Sequence, residues 1–156
     1  MADTSLIENK IGLLIWKASN YWQSNLRKIL NPYNISLNEY LILQSIKYLL
    51  GEKSNIYQSE IAHFIGIDIS VTSVTLKSLE QKKYISRQIK DDNRKKIIKI
   101  LQHGKDLFQI LYPLIEKEEE LLFNKLNNET FNFTNSLKLL LGKKIRIKAE
   151  KTEKEY

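Results

Sequence analysis

The run Tyr57–Leu101, YQSEIAHFIGIDISVTSVTLKSLEQKKYISRQIKDDNRKKIIKIL, decides how this chain folds. Residues 58–65 are expected to form a short helix, with Ile61, Ala62, Phe64 and Ile65 apolar, and Gly66 can supply the positive φ that ends it. A second helix is expected over about 69–82, with Asp68 or Ser70 as its cap. Beyond it Ile85, Arg87 and Ile89 alternate with Ser86, Gln88 and Lys90, and Ile98 and Ile100 alternate with Ile97, Lys99 and Leu101. Such period-two alternation around an Asp/Asn turn is the signal of an antiparallel hairpin. Helix, turn, helix and basic hairpin in this order describe a winged helix-turn-helix, a module that lays one helix in a DNA groove and rests a β-ribbon beside it.

Charge agrees with that pattern. The chain carries net +7, and the whole excess lies between Ile69 and Lys105, where ten Lys or Arg face three acids. Clustered cations displace counterions from phosphates, so a basic excess confined to one helix and one hairpin is the footprint of a nucleic-acid surface. The bland alternative is a solvated basic face without a partner.

On a helical wheel the second helix of this pair turns Ile69, Thr72, Ser73, Leu76 and Leu79 inward. Ser70, Val71, Val74, Thr75, Lys77 and Ser78 fall outward or on the flanks. Two outward valines are either extra core or protein contact, or they are readers: Val and Thr methyls can touch thymine C5-methyls while hydroxyls reach base edges. No arginine is there for bidentate guanine contact, so an A·T-rich site is expected. At the hairpin tip Asp91-Asp92-Asn93-Arg94-Lys95-Lys96 is either an ordinary solvated turn or a second DNA contact.

At 156 residues the chain is long enough for one ordinary domain. A single unit over 1–142 is expected, with a charged tail over 143–156 lacking a periodic apolar face. Without cysteine, disulfides, thiolate metal sites and cysteine redox sensing are excluded. No apolar run approaches the length of a membrane span and residues 1–9 lack a basic, then apolar, leader, so a soluble cytoplasmic protein without membrane partners is expected. Catalysis needs a convergent set of reactive groups. The chain offers only His63 and His103, no glycine-rich phosphate loop and no HExxH, so neither an enzyme nor a cofactor or metal site is expected.

Long helices flank the module. Residues 5–30 show apolar residues at helical spacing from Ile7 to Ile29, ended by Asn31-Pro32. Ser36 with Glu39 forms a capping box that opens a helix through about Leu50, and a loop follows before Ile56, a candidate single short strand. A long helix is expected from His103 to about Leu126, bent at Pro113, and another over 130–141. The apolar stripes of these flanks are wider than one winged helix can cover, so a two-fold dimer through the two ends of the chain is expected. A larger monomer core is the alternative.

Taken together the residues resemble the MarR family, the bacterial regulators of multiple antibiotic resistance type, from about Leu6 to Leu141. Ile35–Leu43 looks like that family's second-helix opening, and Gln58–Ala62 through Ile65–Asp68 like its helix-turn-helix entry. Leu79–Ile85 resembles the run from recognition helix to wing, and Asp92-Asn93-Arg94 its DxR wing motif, followed at the usual spacing by Ile100 and Gly104. The resemblance implies a homodimeric transcription regulator, of repressor type, on an inverted repeat of duplex DNA, released by a small aromatic ligand. It puts Ser70, Val71, Val74, Lys77 and Ser78 at the major groove. Arg87, Asp92, Arg94, Lys95 and Lys96 become wing contacts, with Asp92 bracing Arg94 in the minor groove or on a phosphate. Lys83 stands where the family has glycine, Val74 where a polar reader is common, and Tyr57 where a Ser/Thr cap is usual. Trp16, Trp22 and Tyr40 either line a ligand pocket or belong to the core. The competing function is a winged helix used for protein contact or architectural DNA binding, without ligand response.

Overall fold

Ser36 Oγ accepts the N–H of Glu39 at 3.1 Å while the Glu39 carboxylate accepts the N–H of Ser36 at 2.9 Å, the expected reciprocal cap. The helix it opens, α2 (Leu37–Leu50), lies at the centre of the core. The computed structural model describes residues 9–89 and 95–145. Before α2 come α1 (Ile11–Leu30) and a 3₁₀ turn at Asn31–Tyr33. After it follow α3 (Gln58–Ile65), α4 (Ile69–Gln81), the hairpin β1 (Ile85–Ile89) and β2 (Lys96–Ile100), and α5 (Gln102–Phe123). A 3₁₀ segment at Asn124–Glu129 leads to α6 (Thr130–Leu140). The protein is mainly α with a small β wing, the winged-helix architecture expected.

Backbone contacts divide the chain into two compact units, Met1–Glu118 and Glu119–Tyr156. In the first, Tyr40 and Ile46 of α2 pack among Leu30 of α1, Ile61 of α3, Leu76 of α4, Ile98 of β2 and Phe108 of α5, all buried. The Tyr40 and Phe108 rings stack 5.9 Å apart. In the second unit α6 buries none of its residues, although Phe133, Leu137 and Leu140 recur along one face at spacings of four and three.

The wing is a two-stranded antiparallel ribbon in which Ile85 faces Ile100, Arg87 faces Ile98 and Ile89 faces Lys96. Ile56 gives less than the expected strand: its carbonyl accepts the Ile98 N–H at 2.9 Å, and Tyr57 makes an isolated bridge to Ile97. That bridge nevertheless roots the wing on the start of α3. Helix α5 runs unbroken through Pro113, and it ends at Phe123 rather than near 126. Asn127, with φ 47° and ψ −121°, is a non-helical residue within the 3₁₀ segment that follows. The first helix is described from Ile11, and its expected start at residues 5–8 lies outside the described residues.

The fourth helix departs from its wheel in two places. Ile69, expected inward, is 57% exposed, and Thr75, expected on the outer flank, is buried with its hydroxyl donating to the Val71 carbonyl at 2.8 Å. Thr72 is buried in the same way, donating to the Asp68 carbonyl. A threonine that returns its hydroxyl to the turn behind it presents only a methyl to the core, which a wheel counting it as polar cannot anticipate.

Helix α4 ends in a Schellman motif: the Tyr84 N–H reaches the Leu79 carbonyl and the Lys83 N–H the Glu80 carbonyl, each at 3.0 Å. Lys83 occupies the left-handed position with φ 61°, which a side chain disfavours and glycine tolerates. Lys83→Gly is therefore expected to raise stability by about 0.5–1 kcal/mol, the relief of strain exceeding the extra unfolded-state entropy. Urea denaturation checks this; an unchanged or lower midpoint would show that the turn carries no strain.

Candidate nucleic-acid interface

Because Thr72, Thr75, Leu76 and Leu79 face the core, the opposite side of α4 is left to Ser70, Val71, Val74 and Lys77. All four are exposed, Val74 at 71%. Ile69 joins them at the helix start, an apolar surface residue that the wheel had placed inside. Asp68 stands at the N-cap in extended conformation without a side-chain cap bond. Single exposed apolar residues are ordinary, but two valines on one helical face flanked by hydroxyl and ammonium groups, with Ile69 exposed at the helix start, are a surface suited to contact.

Beside this face lies a hollow of about 360 Å³ whose walls include Tyr57, Gln58 and Ser59 from the start of α3, Ser73 from α4, and Lys95 and Lys96 at the wing. Lys95 Nζ stands 5.9 Å from the centroid of the Tyr57 ring, within cation–π range. Tyr57 itself lacks a capping hydroxyl at the right place, and Glu60 compensates by accepting the Tyr57 N–H at 2.9 Å. The Glu60 carboxylate also holds Lys53 at 2.6 Å. Two exposed lysines above the amino end of a helix make the hollow attractive to an anion such as a backbone phosphate.

Two residues assigned to DNA by sequence have partners inside the fold. Arg87, with only 13% of its side chain exposed, gives Nε and Nη2 to Glu80 Oε2 at 2.9 and 2.6 Å. The guanidinium holds the Glu80 carboxyl below the ordinary carboxylate range. Ser78 donates its hydroxyl to Glu39 at 2.5 Å. Burial pushes the Glu39 carboxyl up, but the bonds from Ser78, the Ser36 N–H and Lys82 outweigh it and hold the group low. Asp92 and Arg94 lie outside the described residues. Of the three aromatic pocket candidates, Tyr40 is core and Trp22 packs partly against it, while Trp16, for which core was the alternative to a pocket wall, is 66% exposed. Glu39, Lys82, Tyr57 and Gln58 went unassigned in the sequence because their importance is non-local, although Gln58 directly follows the N-cap, where anion-binding groups collect. The histidines have plain structural places: His103 stacks on Tyr84 at 4.9 Å, and His63 is exposed on α3.

The model of the MarR family matches residues 35–97, from just before α2 into β2. The chain is also 26% identical over 131 residues to the uncharacterised HTH-type transcriptional regulator YdcH of Bacillus subtilis (strain 168), covering 83% of this chain and 88% of YdcH. Over the winged helix, then, the chain is similar to the MarR family. The proteins it is similar to are described as transcriptional regulators. Solved MarR-type structures share its fold. A mutant MarR from E. coli complexed with operator DNA superposes with a TM-score of 0.70 at 20% identity, covering 85% of this chain and 91% of that one. CouR from Rhodococcus jostii RHA1, bound to p-coumaroyl-CoA, gives 0.72 at 18% identity, covering 85% and 92%. Among the described residues no helix is long and apolar enough to cross a membrane.

Proposed function

We propose that the protein is a homodimeric, sequence-specific repressor that binds an A·T-rich inverted repeat of duplex DNA and is released by a small aromatic ligand. The observation that carries this is the exposed face of α4, small and apolar, beside a hollow flanked by lysines. Val71 and Val74 offer methyls to thymine, Ser70 offers a hydroxyl to a base edge, and Lys77 reaches a phosphate. Lys95 and Lys96 hold the backbone beside the wing, and Arg94, braced by Asp92, extends that contact at the tip. Ser78 and Arg87 act one step back, holding α4 and the wing in place through Glu39 and Glu80.

Dimerisation is supported by apolar side chains that the protomer leaves uncovered, among them Ile11 and Trp16 on α1 and Leu139 to Leu141 at the end of α6. Ligand response is supported by a groove of about 490 Å³ between α1, α2 and α3 with Trp22, Leu41, Phe64 and Ile65 in its walls, within the size range of small-molecule sites of about 300–1,000 Å³. The complex of CouR with an aromatic acyl-CoA points the same way.

Selection of duplexes from a random pool tests the specificity. A two-fold symmetric A·T-rich motif is expected, with half-sites about one helical turn apart. Binding across a salt series tests the wing: Arg94→Ala is expected to weaken binding and to lower the slope of log affinity against log salt by about one. Superimposed curves would reject the wing contact. Recovery of DNA without a motif would favour architectural binding, and no recovery would favour a protein partner on the valine face.

A further inference from the structure

One carboxylate fastens α4 to the rest of the fold. Glu39 is 3% exposed, and its oxygens accept three hydrogen bonds: Oε2 from the Ser36 N–H and from Lys82 Nζ, each at 2.9 Å, and Oε1 from Ser78 Oγ at 2.5 Å. Lys82 Nζ also donates to the carbonyl of Asn34 at 2.6 Å, in the left-handed turn between α1 and α2. Ser78 and Lys82 are one turn apart at the carboxyl end of α4. At the amino end the described link to α3 is of another kind, a single 3.3 Å bond from Gln58 Nε2 to the Ile69 carbonyl, exposed to water. Charge-assisted bonds with little water around them are the stronger sort, so α4 is held firmly at its end and lightly at its start.

The capping box alone does not account for this glutamate. Closing the box takes one oxygen, and a glutamine amide would supply it without burying a charge. What the charge adds is Lys82, and what the second oxygen adds is Ser78, and both belong to α4. Val71, Val74 and Ser78 follow one another at spacings of three and four along a single face of that helix. A turn or slide at Ser78 therefore displaces the two valines with it.

We propose that Glu39 is a positioning residue for DNA recognition, setting through Ser78 and Lys82 the pitch at which α4 presents Val71 and Val74 to the duplex. This rests on α4 being the helix that enters the major groove. Glu39 itself touches no DNA in this scheme. Its substitution should remove discrimination between sequences while leaving the general attraction to phosphates intact.

The test uses the full chain, with binding measured to the duplex selected by the parent protein and to a shuffled duplex of equal length. Glu39→Gln retains the cap and is expected to lose about tenfold in affinity for the selected duplex, a typical coupling strength for contacting residues. Affinity for the shuffled duplex is expected to stay within about twofold, with the salt slope unchanged, because no phosphate contact is lost. Lys82→Met should match Glu39→Gln, the double variant should be no worse than either single one, and Lys82→Arg should restore parental discrimination. Equal losses on both duplexes, additive losses in the double variant, or a salt slope lowered by about one in Lys82→Met would each overturn the proposal, the last by making Lys82 a phosphate contact. Should Glu39→Gln fail to fold, the partly exposed Lys82 still decides through Lys82→Met against Lys82→Arg. A selection in which the parent enriches no motif would overturn the role of α4 itself, and the role of Glu39 with it.

Discussion

Gly104→Ala is expected to destabilise the protein by about 3 kcal/mol, even though alanine is the better helix former by about 1 kcal/mol. Gly104 lies in the first turn of α5, where a Cβ would collide with the carbonyl oxygen of Tyr84 and press on Ile100 Cγ1 at 3.1 Å. That carbonyl has little room to yield. It accepts the Leu101 N–H at 2.9 Å, and the chain just before it is committed to the left-handed Lys83. The clash falls between two stretches of backbone joined by a hydrogen bond, at the root of the wing. Gly12→Ala supplies the contrast, since nothing lies within 4 Å of a Cβ there, and a gain of up to about 1 kcal/mol is expected from helix propensity alone. Urea midpoints of both variants against the parent check the pair. A Gly104→Ala protein as stable as the parent would mean that α5 does not approach the Tyr84 carbonyl so closely.

Leu140→Asp is expected to convert a dimer into a monomer at micromolar concentration and to weaken operator binding by more than about a hundredfold. Helix α6 buries nothing within the protomer, and Leu140 continues the stripe of Phe133 and Leu137. If a second copy covers that stripe, the substitution places an unpaired carboxylate in an apolar interface, at a cost of several kcal/mol. DNA binding then suffers twice, because two tethered half-site contacts become two independent ones and the gain in effective concentration disappears. Sedimentation equilibrium of parent and variant decides the first part. A parent that is monomeric throughout, or a variant that stays dimeric, would remove α6 from the interface.

Local features were the legible ones. The Ser36–Glu39 cap, the left-handed Gly66 and the hairpin strands each depend on residues within a few positions of one another, and each is present where expected. The surface of α4 was legible in part: Ser70, Val71, Val74 and Lys77 are outward, but Ile69 and Thr75 exchange places because a wheel knows residue types and not the carbonyl a hydroxyl returns to. Lys83 was legible as an oddity, and the structure supplies its φ. The second duty of Glu39 was not legible at all. Its partners Ser78 and Lys82 stand 39 and 43 positions away, and no spacing rule links them. Arg87 shows the same limit, since its ion pair with Glu80 joins the wing to α4 and no spacing rule announces it.

The two sides of α4 also differ in what they allow a lineage to change. Ser70, Val71, Val74 and Lys77 carry no part of the buried core, so on the proposed reading of α4 their exchange redirects the protein to another operator while the same scaffold is inherited. Ser78 and Lys82 share one buried acid with α2, and a change at either leaves that acid short of a partner. New targets in descendants of this protein should therefore arise by substitution along the outer face of the helix, with the clamp at its end changing only as a set.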